Sequence, residues 1–224
     1  EKVRIAAPKI VKKLRVSGWR DFSQSIMTSD KVNKVSSFKT LIGGKEITVT
    51  GAAKGSGMIA PNMATMLAFF VTDASISENE LREHTKRAVD DTFNCISVDG
   101  DMSTNDTVLV LANGAAKNRL PRKGSKDSNR FGEALRHVML DLAKQLVRDG
   151  EGASKFIRVE VQGASSELDA KKVARAVAES SLVKCSWNGS DPNWGRVIDA
   201  VGYAGARVDE NKVDIYFGPL PAAI

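Results

Sequence analysis

The sequence has 224 residues, enough for one large domain or two small ones with a substantial core, and its 42% hydrophobic and 27% charged residues are those of an ordinary globular protein. Its net charge of +6 comes from lysines and arginines scattered among Asp and Glu, with no aromatic-interleaved basic patch and no helix-turn-helix pattern, which argues against a nucleic-acid binder. No apolar run approaches the roughly 18 residues of a membrane span, no signal peptide is legible, and Cys95 and Cys185 form no CxxC pair, so a disulfide framework or cysteine-ligated zinc is disfavoured and a reducing, cytoplasmic setting is expected. Glu1 stands where an initiator methionine would, which points to a longer precursor or to processing.

In chain order, residues 6–15 and 20–28 read as short amphipathic helices. FKTLIGGKEITVTG is a hairpin signal, two runs rich in Ile, Val and Thr meeting at Gly43-Gly44. Met66 to Thr72 is a short apolar run with aromatic and β-branched members, a buried strand. Ser77 with Glu80 forms a capping box for a helix running to about Ser97, and Ser103 with Asp106 reads as another helix start that Asn113-Gly114 would stop. A charged loop near 117–128 precedes a long helix from about Asn129 to Arg148; KFIRVEVQG alternates like a strand, SELDAKKVARAVAES is helical, and VDIYFG is a last strand. Helices alternating with strands and hairpins give an α+β class, helices layered on mixed or antiparallel sheets.

Several chemistries are disfavoured. His84 and His137 fall in charged helices and read as solvated helix-face residues, with no Ser or Cys motif beside them. VDGDMSTND places Asp99, Asp101 and Ser103 on alternate positions but lacks the glycine and bidentate glutamate of a calcium loop, so no metal is expected there and a helix-entry turn is preferred. KGSG at 54–57 is not a phosphate loop. Glu151, between two glycines at the end of the long helix, is either a solvated turn residue, the preferred reading, or a carboxylate held toward a site.

A protein without a useful histidine can activate a hydroxyl by making its residue the amino terminus, since a free α-amino group has a pKa near 8 and a neutral fraction that can take the hydroxyl proton. Thr65 sits where such chemistry fits. Glycines, Pro61 and Asn62 precede it and allow an unusual backbone path, and Ala64 is small enough to leave its carbonyl open to attack. By residues alone, a plain loop entering a strand is the preferred reading.

The segments KGSGMIAPNMATMLAFFVTDA, FNCISVDGDMSTNDTVLVLANGAA, DGEGASKF and DPNWGRVIDAVGYAGA, in that order from IMTSD near residue 26 to VDIYFG near 218, together resemble the bifunctional ornithine acetyltransferase/N-acetylglutamate synthase family of arginine biosynthesis. The resemblance implies an αββα-type fold. It also implies self-cleavage between Ala64 and Thr65, which divides the chain into an α-chain segment (1–64) and a β-chain segment (65–224), with Thr65 as nucleophile. Thr28, Lys54, Thr65 and Glu151 map onto the family's substrate-contacting positions. The implied reaction moves acetyl from N-acetylornithine to glutamate through an acetyl-threonine ester, with no cofactor; some members accept acetyl-CoA as donor. The family's assembly is a heterotetramer of two α and two β chains. Its chains extend further at both ends, and its oxyanion-stabilising threonine-glycine pair has no counterpart before Thr28. Two rival readings are a self-processing, aminopeptidase-like hydrolase and a non-catalytic binding domain.

Overall fold

The computed structural model describes residues 1–60 and 66–218. Two short helices, α1 (Lys2–Val11) and α2 (Trp19–Ser25), lead into a four-stranded mixed sheet of β1 (Lys34–Ile42), β2 (Lys45–Lys54), β3 (Leu67–Thr72) and β4 (Thr107–Ala112), arranged in that order. The hairpin forms where the sequence places it: Gly43 and Gly44 take φ of +56° and +76°, the pair of left-handed residues that matches a two-residue turn to strand twist. β1, β2 and β3 run antiparallel, and β4 lies parallel to β3 after a crossover through α3 (Glu78–Asp90).

The inner face of the sheet is covered by α4 (Lys126–Arg148), opened by the Ser125 hydroxyl accepting from the Ser128 amide. Phe131, Leu135, Val138, Met139, Leu142 and Leu146, spaced at three and four residues, are fully buried against Ile47, Val49, Ala53 and Phe70. Each such side chain contributes about 1.5–3 kcal/mol relative to exposure, so this stripe is the main stabilising element. A second, smaller core joins α5 (Glu167–Glu179), α6 (Ser181–Asn188) and α7 (Trp194–Gly202) through Val173, Val177, Val183 and Ala200. Arg175 of α5 and Lys184 of α6 fasten this unit to the 94–98 loop by donating to the Asn94 and Val98 carbonyls, each at 2.5 Å.

The α+β class holds, with one sheet among the described residues, and several local expectations change. The segment after Ser103 is strand β4, because Ser103 closes a two-residue turn by accepting from the Asn105 amide at 3.2 Å, and TVLVLA alternates exposed and half-buried on a sheet edge. Helix α3 stops at Asp90, short of Ser97, and a 3-10 turn follows at Phe93–Cys95. KFIRVEVQG and VDIYFG belong to no strand; Val159 and Val161 keep the alternation by packing on the α5–α7 core, but no strand pairs with them among the described residues. Helices α6 and α7, absent from the sequence expectation, are capped by Ser180 and Asn193. β2 and β3, one from each side of residues 61–65, pair from Val49↔Thr72 to Lys54↔Leu67 and so share one sheet.

The Ser77–Glu80 capping box forms, and its continuation corrects the reading of His84. The buried Glu80 also accepts from Ser128 Oγ at 2.6 Å, and Ser128 Oγ lies 2.9 Å from His84 Nε2. A serine hydroxyl has one proton, here committed to Glu80, so His84 Nε2 donates and the neutral ring is the Nε2–H tautomer. His84 is therefore a half-buried link between α3 and α4, while His137 is exposed beside the Phe38 ring. Burial lowers the His84 pKa from 6.5 against the raising pull of Glu80 and Glu83. The unfolded chain then binds the extra proton first, and stability falls as pH drops below 6.5. Urea unfolding at pH 7.5 and 5.5 is expected to show this loss in the wild type and a smaller one in His84→Gln.

Candidate active site

Thr65 and Ala64, the expected nucleophile and scissile residue, lie outside the described residues. Thr28, Lys54 and Glu151 lie inside them, on three segments far apart in sequence. Helix α2 ends at Ser25 and leaves Thr28 exposed in a turn; Lys54 is the last residue of β2; Glu151 follows the end of α4 by three residues.

One buried ion cluster joins these segments. Lys34, the first residue of β1, is fully buried, and its Nζ donates to Asp30 Oδ1 and Asp149 Oδ2, each at 2.6 Å. The Gly55 amide donates to Asp30 Oδ1 at 2.7 Å, the Thr28 amide to Asp30 Oδ2 at 3.1 Å and the Lys31 amide to Asp149 Oδ2 at 3.0 Å. Burial alone would raise the Asp30 pKa, but the Gly55 amide, Lys34 and the Thr28 amide outweigh it and hold the carboxyl below 3.8. Asp149 stands at the C-terminus of α4, where the helix dipole disfavours a carboxylate and favours the Lys34 cation beside it. Removing one partner from such a cluster typically costs about 3–5 kcal/mol, because the remaining charges stay buried.

Two more contacts complete the stitching. The Glu151 amide donates to the Ser56 carbonyl at 2.7 Å, and Ser29 Oγ lies 2.8 Å from Ser56 Oγ. The Glu151 carboxyl rests over Gly57 so closely that a Cβ there would come within 2.8 Å of its carbon. The exposed Glu151 carboxyl thus lies against the 54–57 loop.

The chain toward residue 61 is held in a costly shape. Met58 has φ of +56°, a left-handed conformation that costs a non-glycine residue about 1–3 kcal/mol. Asp99 clamps it, accepting from the Met58 amide at 2.5 Å and the Ile59 amide at 2.9 Å. The Val98 amide donates to the Ile59 carbonyl at 2.6 Å. Asp99 thus satisfies backbone donors, as expected, but those of the 58–59 loop and not of a helix. No group of three His, Cys, Asp or Glu side chains suited to a metal occurs among the described residues.

On the far side of β3, Asp106 immediately precedes β4. Burial pushes its pKa up to about 6, outweighing the opposing pull of the nearby Met66 amide and of Lys54. A groove lined by Phe38, Thr40, Arg130, Glu133 and His137, between β1 and α4, shares no residue with these loops.

Residues 1–223 match the ArgJ family model. The chain belongs to the ArgJ family. It is similar to the arginine biosynthesis bifunctional protein ArgJ of Geobacter sulfurreducens, 48% identical over 217 residues that cover 97% of this chain and 55% of the relative. The counterpart of the same name from Symbiobacterium thermophilum is 50% identical over 207 residues, 92% of this chain and 52% of the relative. The chain therefore spans about half the length of the curated family relatives it matches. The crystal structure of the Bacillus halodurans family member aligns with a TM-score of 0.63 at 47% identity, covering 65% of this chain and 68% of that one.

Sequence reasoning did not single out Asp30, Lys34 or Asp149, and it placed Asp99 and Asp106 only in helix-entry turns. Lys34 had a signal: strand periodicity puts it on the face shared with Ser36, so a lysine there implied a buried charge needing partners. Gly57→Ala tests the seat of Glu151. Its added methyl meets only the flexible end of that side chain, so unfolding free energy is expected to change by under about 0.5 kcal/mol. The carboxyl-carbon NMR resonance of Glu151 is expected to move, and an unmoved resonance would contradict the contact.

Proposed function

We propose that this chain carries the centre of an acetyltransferase that moves acetyl from N-acetylornithine to glutamate through an ester on Thr65, after cleavage between Ala64 and Thr65. The observation that carries the reading is the convergence of the segments bearing Thr28, Lys54 and Glu151 on one buried cluster. They lie at the sheet end where β3 begins, two residues after Thr65 in the sequence. Membership of a family whose relatives are named for arginine biosynthesis supports it.

In the proposed reaction the Thr65 hydroxyl loses its proton to the residue's own amino group while Oγ bonds to the acetyl carbon. The carbon–nitrogen bond to ornithine breaks, and the Thr65 ammonium returns the proton to the leaving amine. The amine of glutamate then attacks the ester, forming acetylglutamate and restoring the hydroxyl. Lys54 supplies a cation for a substrate carboxylate, Glu151 an acceptor for a substrate ammonium group, and Thr28 a hydroxyl beside them. The α-chain (1–64) and β-chain (65–224) division belongs to the same proposal, as does an assembly of two copies of each. The pairing of β2 with β3 gives the two segments of each copy a reason to stay joined after cleavage.

Denaturing intact mass of the full-length protein tests the reading. The wild type is expected to give two fragments meeting at Ala64/Thr65 and to form acetylglutamate from acetylornithine and glutamate, with a parallel assay reading acetyl-CoA as donor. Thr65→Ala is expected to give one uncut, inactive chain. An uncut wild type with full acetyl transfer overturns the mechanism, and release of free acetate in place of acetylglutamate assigns a hydrolase instead.

A further inference from the structure

β1 is an outer strand of the sheet, and its free edge runs beside the groove that α4 lines. The two-residue turn at Gly43-Gly44 makes Ile42 and Lys45 the closing hydrogen-bonded pair of the hairpin. Antiparallel ladders alternate, so Thr40, Phe38 and Ser36 also bond to β2, while Leu41, Lys39, Ser37 and Val35 turn N–H and C=O outward. Two contacts agree with this. The Val35 carbonyl accepts from Gln145 Nε2 of α4 at 3.3 Å, and the hydroxyls of the opposed Ser37 and Thr50 lie 2.8 Å apart, the close approach of a pair without ladder bonds. Gln145 thus closes one end of the edge. From Ser37 to Leu41 the outward amides and carbonyls have no partner among the described residues, and neither a proline nor a bulge blunts them.

The groove beside this edge has a volume of about 660 Å³ and a mixed wall. Phe38, Thr40 and the buried Ala134 form its apolar side, and the Phe38 ring is backed by that of His137, with centroids 4.5 Å apart. Lys126, Arg130 and Arg136 on α4 supply three cations against one acid of the groove, Glu133. Glu133 pairs with Arg136 at 3.2 Å and Arg130 reaches Asp127 only at 3.6 Å, while Lys126 has no ion pair among the described residues. We propose that this edge and groove bind an extended acidic peptide segment of another protein, which adds a strand beside β1. The backbone of such a segment takes up the outward groups of Ser37, Lys39 and Leu41, and every second side chain enters the groove, where carboxylates meet Lys126 and Arg130. A second copy of this chain fits the edge poorly. Two-fold pairing of β1 about Lys39 sets that lysine against itself and brings two sets of groove cations together. The groove shares no residue with the loops of the candidate active site, so the inference is independent of the chemistry proposed there.

The test uses the full-length protein and the blocked peptide acetyl-Glu-Val-Glu-Val-Glu-amide, with its Lys-for-Glu counterpart as control. Hydrogen exchange over residues 37–41, read by mass spectrometry, is expected to be fast without peptide and to slow when the acidic peptide is added. In calorimetric titration the lysine peptide is expected to bind at least about tenfold more weakly, the worth of one charge-assisted hydrogen bond. Arg130→Glu is expected to weaken the acidic peptide by a similar factor. Lys39→Pro, which removes an outward amide that β2 does not use, is expected to abolish the slowed exchange. Arg130→Glu changes an exposed side chain and is expected to keep the wild-type thermal midpoint, so it carries the test even if Lys39→Pro loosens the strand. No binding of the acidic peptide, equal affinity for the two peptides, binding that leaves 37–41 unprotected, or an edge already protected without peptide overturns the proposal. Protection that grows with protein concentration alone assigns the edge to a second copy and overturns it as well.

Discussion

The buried charge of Lys34 is the constraint on which the rest of the candidate site depends. An ammonium group with no access to water needs both Asp30 and Asp149, and those carboxylates in turn need the amides of Gly55, Thr28 and Lys31. Each requirement pins a different stretch of chain: the turn after α2, the end of β2 and the end of α4. The cluster also fixes the register of β1. A one-residue slip would turn Lys34 outward and leave two carboxylates buried without their cation, a far larger penalty than misplacing one apolar side chain.

Around this fixed point the strands impose a second constraint. β2 and β3 lie side by side although the segment between them holds Ala64 and Thr65, so residues on both sides of that peptide bond share one sheet and one core with α4. Past the end of β2, Asp99 accepts from the amides of the left-handed Met58 and of Ile59. The far side is bounded by Asp106, an acid kept from solvent beside Met66.

Much of this was legible in the sequence, and the exceptions have physical causes. The Gly43-Gly44 hairpin, strand β3, the long α4 and the cap at Ser77 follow from local rules that tertiary structure did not override. Ser103 failed as a helix start because a serine can satisfy a nearby amide in a two-residue turn as readily as at a helix end, and TVLVLA was better suited to an edge strand. Lys34 and Asp30 stand four residues apart, but their shared partner Asp149 lies over a hundred residues away and reaches Lys34 only when α4 folds back across the sheet, so the cluster was hidden. Thr28, Lys54 and Glu151 are expectations of the resemblance, while the lysine and aspartates that hold their segments could be suspected only from an inward-facing charge in β1.

One ion cluster holds three loops as a unit, and native-state hydrogen exchange of the Thr28, Lys31 and Gly55 amides can show whether it does. These amides are expected to share one opening free energy, and Lys34→Met to lower all three together by more than it lowers amides paired in β3. Three amides that exchange with free energies differing by more than about 1 kcal/mol, or that keep their protection in Lys34→Met, would contradict it.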